Sequence, residues 1–213
     1  MKTRALETLT RLGVPAYELA RTQNERPHVF VLSGLPGLGK SILAASLERH
    51  SKSAHGEEKC TIKTAEHKTH SVPQNVLTVS TDNVWPLVCP HEFDRVATSS
   101  GYALCEALIG AYVLQGYHVV FDSTGLTPRH RALVQNILHE RCGSAHNITT
   151  SCLWFPVNDD TLTLSIQNRR EELDENTIRN MATRWVEPCE SEGFDACVQL
   201  KPWVPYEKEQ RKQ

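Results

Sequence analysis

The most specific chemical signal in the sequence is the stretch GLPGLGKS at residues 34–41. It satisfies the pattern G-x-x-x-x-G-K-[ST], whose glycines let backbone N–H groups turn inward around phosphate oxygens. Lys40 would reach the outer phosphates as a point charge, and the Ser41 hydroxyl could bind Mg²⁺. A helix that begins here adds the positive end of its dipole. The predicted nucleotide-binding residues are Gly34, Pro36, Gly37, Leu38, Gly39, Lys40, Ser41 and Ile42.

Two aspartates follow other apolar runs and could complete this chemistry. The run VLTVS at 76–80 leads into STD at 80–82, and a carboxylate such as Asp82 at the carboxyl end of a parallel strand points into the ligand crevice. It would act there as a general base toward an acceptor hydroxyl, or as an N-cap for the segment from Asn83, and the two roles are compatible. Asp122 ends the run YHVVFD. It is predicted to orient Mg²⁺ through water, with a structural carboxylate that holds the neighbouring loop as the alternative.

Two pairs of arginines stand at the ends of expected helices. Arg129 and Arg131 fall in the first turn of a helix that opens at Thr127-Pro128. Cations are unfavourable at a helix N-terminus, so they indicate an anionic partner, with a solvated helix face as the alternative. Arg169 and Arg170 end a helix before the acidic stretch EELDE. They favour a lid whose arginine stabilises a transferring phosphoryl group, or they simply complement the helix dipole.

The elements that must position these residues alternate along the chain. Short apolar runs predict strands at 28–33, 76–80, 117–121 and 149–155, with a further short strand near 198–200. Helical spacing and end signals predict helices at about 40–50, 100–115, 127–141, 159–170 and 174–186. This order predicts an α/β fold with a parallel β-sheet and helices on both faces. The flanking strand and helix also disfavour a chance Gly-Lys-Ser turn at residues 34–41.

Length and composition bound the domain organisation and the partners. The chain has 213 residues, with Lys plus Arg 23 and Asp plus Glu 25, so a protein that binds nucleic acid through bulk charge is excluded. No apolar run approaches the 18 residues of a membrane span, and the first 30 residues show no secretory h-region. We expect no membrane partner and a cytoplasmic location, with a nuclear one left open.

The predicted domain boundary falls before the first strand. Residues 1–27 are expected to form a helical appendage, residues 28–213 the main domain, and residues 51–75 a polar insertion. The seven cysteines include no CxxC pair, which indicates reduced thiols. His67 with His70, and Cys89 with His91, lack a second ligand pair and do not favour a metal site.

Missing motifs narrow the class of phosphate-binding protein. A GTPase should show a guanine-specifying NKxD, and a motor ATPase should carry a second acidic strand of the DE type. Neither occurs, so the remaining motifs indicate phosphoryl transfer to an acceptor.

Five segments together resemble the polynucleotide 5′-kinase-like P-loop kinases, of the AAA_33 type. They are GLPGLGKS at 34–41, STD at 80–82, DSTGLTPRHR at 122–131, QNRR at 167–170 and EPCESEGFDAC at 187–197. The resemblance covers about residues 28–200, and the sequence is also similar to seryl-tRNA kinases and zeta-toxin-type kinases.

The resemblance implies a kinase-type three-layer sandwich and transfer of the γ-phosphate of ATP, with Mg²⁺, to a hydroxyl. The 5′-OH end of a polynucleotide, DNA or RNA, is the implied acceptor. Asp82 would be the base, Lys40 a phosphate-binding catalytic residue, and one of Arg169 and Arg170 the lid residue within about 167–176. Arg184 would lie near the adenine, and the implied acceptor-side residues are Asp82, Trp85, Thr124, Arg129 and Arg131.

Departures from the family pattern leave the acceptor open. Trp85 stands where the pattern has an arginine that holds the acceptor phosphate, and it could stack on a base or belong to the core. Gly125 stands where the pattern has asparagine. The alternatives are a kinase of a small molecule or of an aminoacyl-tRNA, and a catalytically silent ATP-binding protein.

Overall fold

The computed structural model describes residues 26–52, 61–63, 69–71, 75–88, 95–142, 148–169 and 173–202. Its strands are β1 His28–Ser33, β2 Thr61–Lys63, β3 Thr69–Ser71, β4 Val76–Ser80, β5 His118–Asp122, β6 Thr149–Trp154 and β7 Ala196–Gln199. Its α-helices are α1 Lys40–Lys52, α2 Thr81–Val88, α3 Arg95–Leu114, α4 Pro128–Ile137, α5 Asp159–Arg169 and α6 Glu175–Thr183. A π-helical turn, Leu138–Cys142, follows α4, and a 3₁₀ turn covers Glu190–Glu192.

Five strands form one parallel sheet in the order β4-β5-β1-β6-β7. Alternate residues of the central strand enter two separate apolar clusters, Val29 and Val31 in one and Phe30 and Leu32 in the other. Because successive side chains of a strand point to opposite faces, the sheet is covered on both sides. The predicted α/β fold is confirmed. The carboxyl ends of β1, β4 and β5 therefore meet at one edge, where the segments that follow them form the candidate site.

The structure differs from the sequence-based expectations mainly at element ends. Helix α2 was not predicted, because its eight residues include Pro86 and show too few turns for a clear helical period. The segment 51–75, expected to be a loop or a partly ordered insertion, contains the antiparallel pair β2 and β3. Helix α4 gives way to the π-helical turn after Ile137, and α6 ends at Thr183.

Parts of the predicted organisation lie outside the described residues. These include the N-terminal appendage up to residue 25 and the chain after residue 202. The boundary between residues 27 and 28 stays a prediction. Across the part of the chain that the structure describes, no helix combines the length and the apolar character needed to cross a membrane.

Candidate active site

The loop between β1 and α1 is held by both backbone and side-chain contacts. The Gly34 N–H donates to the Thr124 carbonyl at 2.9 Å, which joins the loop to the segment after β5. Gly37 has a φ of +74°, and a Cβ atom there would lie 2.9 Å from Cγ of Arg169. Position 37 therefore needs glycine both for its left-handed backbone and for the close approach of α5.

Lys40 is buried within this loop. Its ammonium donates to the carbonyls of Gly34 at 3.1 Å and Leu35 at 2.8 Å. Burial lowers the pKa of Lys40 to about 8, while the carboxylates of Asp122 and Asp82 act in the opposite direction and Arg169 adds to the lowering. The lysine is thus a desolvated cation in electrostatic contact with every other charged candidate at this edge of the sheet that the structure describes.

Asp122 ends β5 beside the phosphate loop. It is buried and pairs in register with Ser80 of β4. Burial raises the pKa of Asp122, whereas a hydrogen bond with the Ser41 side chain and the Lys40 charge oppose that rise. A hydroxyl and a carboxylate together are oxygen ligands of the type that Mg²⁺ prefers, so the pair fits the predicted metal. Within the described residues no group of three or more His, Cys, Asp and Glu could hold an ion. Mg²⁺ usually keeps several waters and binds substrate phosphates, so it would need only one or two ligands from the protein here.

Asp82 lies in the first turn of α2, directly after β4 ends. The helix begins at Thr81, so Asp82 falls inside that turn and does not precede it as an N-cap for Asn83 would. The residue is exposed, yet its charge acts on both Lys40 and Asp122. An exposed carboxylate beside a buried lysine can receive a proton from an incoming hydroxyl.

Two side chains of helix α5 form hydrogen bonds to the phosphate loop. The buried Ser165 hydroxyl donates to the Pro36 carbonyl at 2.7 Å, and the Asn168 amide donates to the Gly37 carbonyl at 2.9 Å. Arg169 follows at the same helix end, against Gly37. Sequence reasoning missed Ser165 and Asn168, although Ser165 precedes Asn168 by three residues and Arg169 by four, which was a signal for one polar helix face. Arg170 lies outside the described residues.

A row of aromatic rings lies beside Asp82. Trp85 packs edge-on to Tyr102 with centroids 6.2 Å apart, and Tyr102 stacks on His130 at 6.4 Å with an interplanar angle of 13°. A Cβ atom on Gly101 would lie 2.2 Å from the Trp85 ring, so the indole rests directly on α3. Burial raises the pKa of Tyr102, and Asp82 contributes to that rise. Tyr102 and His130 were not predicted as site residues, because the spacing of Tyr102 is typical of a helix core and the position of His130 is typical of a helix face.

The family model AAA_33, described as an AAA domain, matches residues 29–188. The chain belongs to the AAA_33 family. No match to a curated protein sequence was found.

Solved structures similar to this AAA_33 protein share its fold at low sequence identity. Chaetomium thermophilum Kti12 in complex with ADP-AlF3 is 14% identical with a TM-score of 0.55, over 86% of this chain and 94% of that chain. A gluconokinase from Sinorhizobium meliloti 1021 is 10% identical with a TM-score of 0.51, over 89% and 90%. A chain of the Pnkp1/Rnl/Hen1 RNA repair complex is 17% identical with a TM-score of 0.50, over 78% of this chain and 46% of that one. The fold is that of the P-loop kinases.

The other predicted site residues of the AAA_33 protein differ in how far they are buried. Arg131 is 0% exposed and forms an ion pair with Glu192, so its guanidinium faces the interior and not an acceptor. Arg129 and Arg184 are exposed, and both of their charges help burial to lower the pKa of His130. Thr124 is half-buried next to the phosphate loop, and Ile42 is 49% exposed at the start of α1.

The side chains of the histidines and the cysteine weighed as metal ligands lie outside the part of the chain that the structure describes. His67, Cys89 and His91 lie outside the described residues, and the structure describes only the backbone of His70.

Proposed function

We propose that this AAA_33 protein is a kinase that transfers the γ-phosphoryl group of ATP to a hydroxyl. The observation that carries the proposal is the cluster at the carboxyl ends of β1, β4 and β5. There Lys40 and Asp122 act electrostatically on each other and on both Asp82 and Arg169, and Ser41 bonds to Asp122. A protein that only binds a nucleotide needs a phosphate loop, but it does not need an exposed carboxylate next to it.

Each group has one role in this proposal. The phosphate loop and Lys40 hold the phosphate chain of ATP, and Ser41 and Asp122 would hold Mg²⁺, which supplies charge neutralisation when bound. Asp82 accepts the proton of the acceptor hydroxyl as the new O–P bond forms and the bond to ADP breaks. Arg169, at the end of the helix that clamps the loop, stabilises the negative charge on the transferring group.

We propose that the acceptor is the 5′-hydroxyl end of a polynucleotide. Three facts support this choice: the motif resemblance, the fold shared with a chain of an RNA repair complex, and the aromatic row beside Asp82. Aromatic rings contribute about 1–3 kcal/mol when a base stacks on them. With a formal net charge of −2, the protein would hold one end through a few local contacts, so its affinity should depend weakly on salt.

A small hydroxyl compound is the second candidate acceptor. The contact that favours it is at Trp85, whose ring already rests on Gly101 and meets the edge of Tyr102. An indole held in this way offers less free surface to a base. The shared fold with a gluconokinase is consistent with a compact acceptor.

The experiment that separates these candidates is transfer of label from γ-labelled ATP to a panel of acceptors. The panel contains 5′-OH DNA, 5′-OH RNA, tRNA, nucleosides and small sugars, with 5′-phosphorylated oligonucleotides as the matched control. Label on the 5′-OH oligonucleotides but not on the 5′-phosphorylated ones supports the polynucleotide proposal. Label on a small compound alone supports the second candidate. No label on any hydroxyl, with ATP bound, would contradict a kinase function.

A further inference from the structure

The segment after β5 supports the first residue of the phosphate loop. Its Thr124 carbonyl accepts the Gly34 N–H, and its Gly125 carbonyl accepts the Ser33 hydroxyl at 2.9 Å. Gly125 has a φ of +50°, and a Cβ atom there would lie 2.6 Å from the Leu32 carbonyl oxygen. This packing leaves no room for the asparagine of the family pattern unless the backbone moves. The position of the phosphate loop therefore depends on where this segment lies.

Arg131 forms hydrogen bonds to the same segment. Its Nη1 donates to the Gly125 carbonyl at 2.7 Å and to the Val186 carbonyl at 3.0 Å. Its Nε and Nη2 donate to the two carboxylate oxygens of Glu192 at 2.7 and 2.5 Å. A planar guanidinium with this bidentate partner has little freedom to move, so Arg131 sets the spacing between the two carbonyls that it binds.

The second carbonyl belongs to the stretch that carries Arg184, the predicted adenine-side residue. The Val186 N–H also donates to the Leu126 carbonyl at 2.9 Å, so this stretch is joined to the segment after β5 twice. Glu192 in turn accepts from the Cys189 N–H at 3.3 Å. Hydrogen bonds thus connect residues 186–192 through Arg131 to the phosphate loop.

We propose that Arg131 and Glu192 are positioning residues that hold the phosphate loop and the 184–186 stretch at the spacing a bound nucleotide requires. This inference rests on the proposed nucleotide binding. It gives a physical role to the segment EPCESEGFDAC at 187–197, one of the five that carry the family resemblance, since Glu192 belongs to it. Neither residue contacts the reacting groups, so both act through the backbone that they position.

Hydrogen exchange on the wild-type protein tests the inference directly. Coupling between two sites is reciprocal, so if the Arg131–Glu192 pair favours nucleotide binding, nucleotide must stabilise the pair. With saturating AMPPNP and Mg²⁺ we expect about tenfold slower exchange at the Val186 and Cys189 amides. The Tyr117 amide, which bonds to the Tyr112 carbonyl in the turn after α3, is the control and should not change.

The Leu43 amide, which donates to the Gly39 carbonyl, reports on nucleotide binding at the phosphate loop. It therefore distinguishes a failure of the positioning role from a failure of nucleotide binding. Slower exchange at Leu43 without any change at Val186 and Cys189 would overturn the positioning role and leave the proposed function standing. No change at any of these amides would contradict nucleotide binding itself.

Variants separate positioning from simple stability. Glu192→Gln keeps the shape of the side chain and removes its charge, and we expect about a tenfold higher Kd for AMPPNP. Arg131→Met with Glu192→Met replaces the buried pair by apolar groups, an exchange that often preserves stability. It should keep a Tm near that of the wild type and still bind nucleotide about tenfold more weakly. Arg179→Met, which removes an exposed pair with Glu175, is the matched control and should leave Kd unchanged. A folded double variant with the wild-type Kd would contradict the inference.

Discussion

Lys40 and Asp82 act on each other electrostatically, but their surroundings are opposite. Lys40 is 7% exposed and is held by two backbone carbonyls, in a loop that α5 and the segment after β5 brace from two sides. Asp82 is exposed at the start of the short helix α2, and its neighbours are aromatic rings from α2, α3 and α4. The first region, which we name the phosphate side, is thus mainly backbone and buried charge, whereas the second, the acceptor side, is mainly side chains.

The difference indicates where specificity lies. Backbone N–H groups and a buried lysine recognise phosphates, which every nucleoside triphosphate carries, so the phosphate side can be shared among kinases of many substrates. The acceptor side consists of side chains carried by helices, not by the strands of the sheet. In this chain Trp85, Tyr102 and His130 occupy that position. The acceptor preference should therefore respond to changes there, and the nucleotide affinity should not.

The largest expected effect is on kcat, and it comes from a substitution on the phosphate side. Lys40→Met removes the charge that reaches the outer phosphates, so we expect a 10²- to 10³-fold fall in kcat, about the loss that follows removal of one preorganised donor. Nucleotide affinity should fall as well. Equilibrium binding of AMPPNP and single-turnover transfer measure the two effects. Wild-type nucleotide affinity in this variant would show that the lysine does not hold the phosphates.

The pH dependence of stability tests the buried state of the same lysine. The pKa of Lys40 is lowered from 10.5 to about 8 in the folded protein, so the unfolded state binds more protons between these values. Wild-type stability should therefore rise relative to Lys40→Met as the pH increases from about 8 to 10.5. At about 1.4 kcal/mol per pKa unit, the full difference is about 3 kcal/mol. Urea unfolding at several pH values measures it, and parallel curves for the two proteins would contradict the burial of the charge.

The next effect is expected on stability, from a substitution of Gly125, whose backbone packs against Leu32 of β1. Gly125→Ala would place a Cβ atom 2.6 Å from the Leu32 carbonyl at a φ of +50°, so we expect a loss of at least about 2 kcal/mol in the free energy of unfolding. The matched control is Gly116→Ala, where φ is +89° and nothing lies within 4 Å. It should cost only the backbone strain, about 1–2 kcal/mol. Equal losses in the two variants would mean that the close packing beneath the loop has no energetic consequence.

The smallest effect on stability is expected on the acceptor side. Gly101→Ala meets the ring of Trp85, which is a side chain and can move, and alanine favours the helix by about 1 kcal/mol. We expect a change in the free energy of unfolding below about 1 kcal/mol, with a higher KM for the acceptor and an unchanged KM for ATP. Steady-state kinetics with each substrate varied separately measures this. A change confined to the KM for ATP would argue against the division into two sides.

The sequence predicts more of the phosphate side than of the acceptor side. The phosphate loop and the strands and helices around it are predictable because their signals are local: eight consecutive residues, and apolar runs that alternate with helices. The bracing of the loop is not, because Ser165 bonds to a carbonyl 129 residues away. The role of Arg131 depends likewise on Glu192, which is 61 residues away. Its place in a helix N-terminal turn suggested an anionic partner, and the anion that the structure provides is a carboxylate of the chain itself.

The acceptor side shows the other limit of sequence reasoning. Asp82 could be placed from its strand, but the stacking of Tyr102 and His130 joins residues of two different helices. An aromatic residue at helical spacing is more often part of the core, and here the rings are both packed and next to the candidate base.

The central claim is that one site divides into a phosphate side that binds the nucleotide and an acceptor side whose Asp82 serves as the base. The most direct test is Asp82→Asn, which preserves the size of the side chain and removes its ability to accept a proton. Single-turnover transfer from γ-labelled ATP should fall by about 10²- to 10⁴-fold, while the Kd for AMPPNP stays within twofold of the wild-type value. Full transfer by Asp82→Asn would contradict the account.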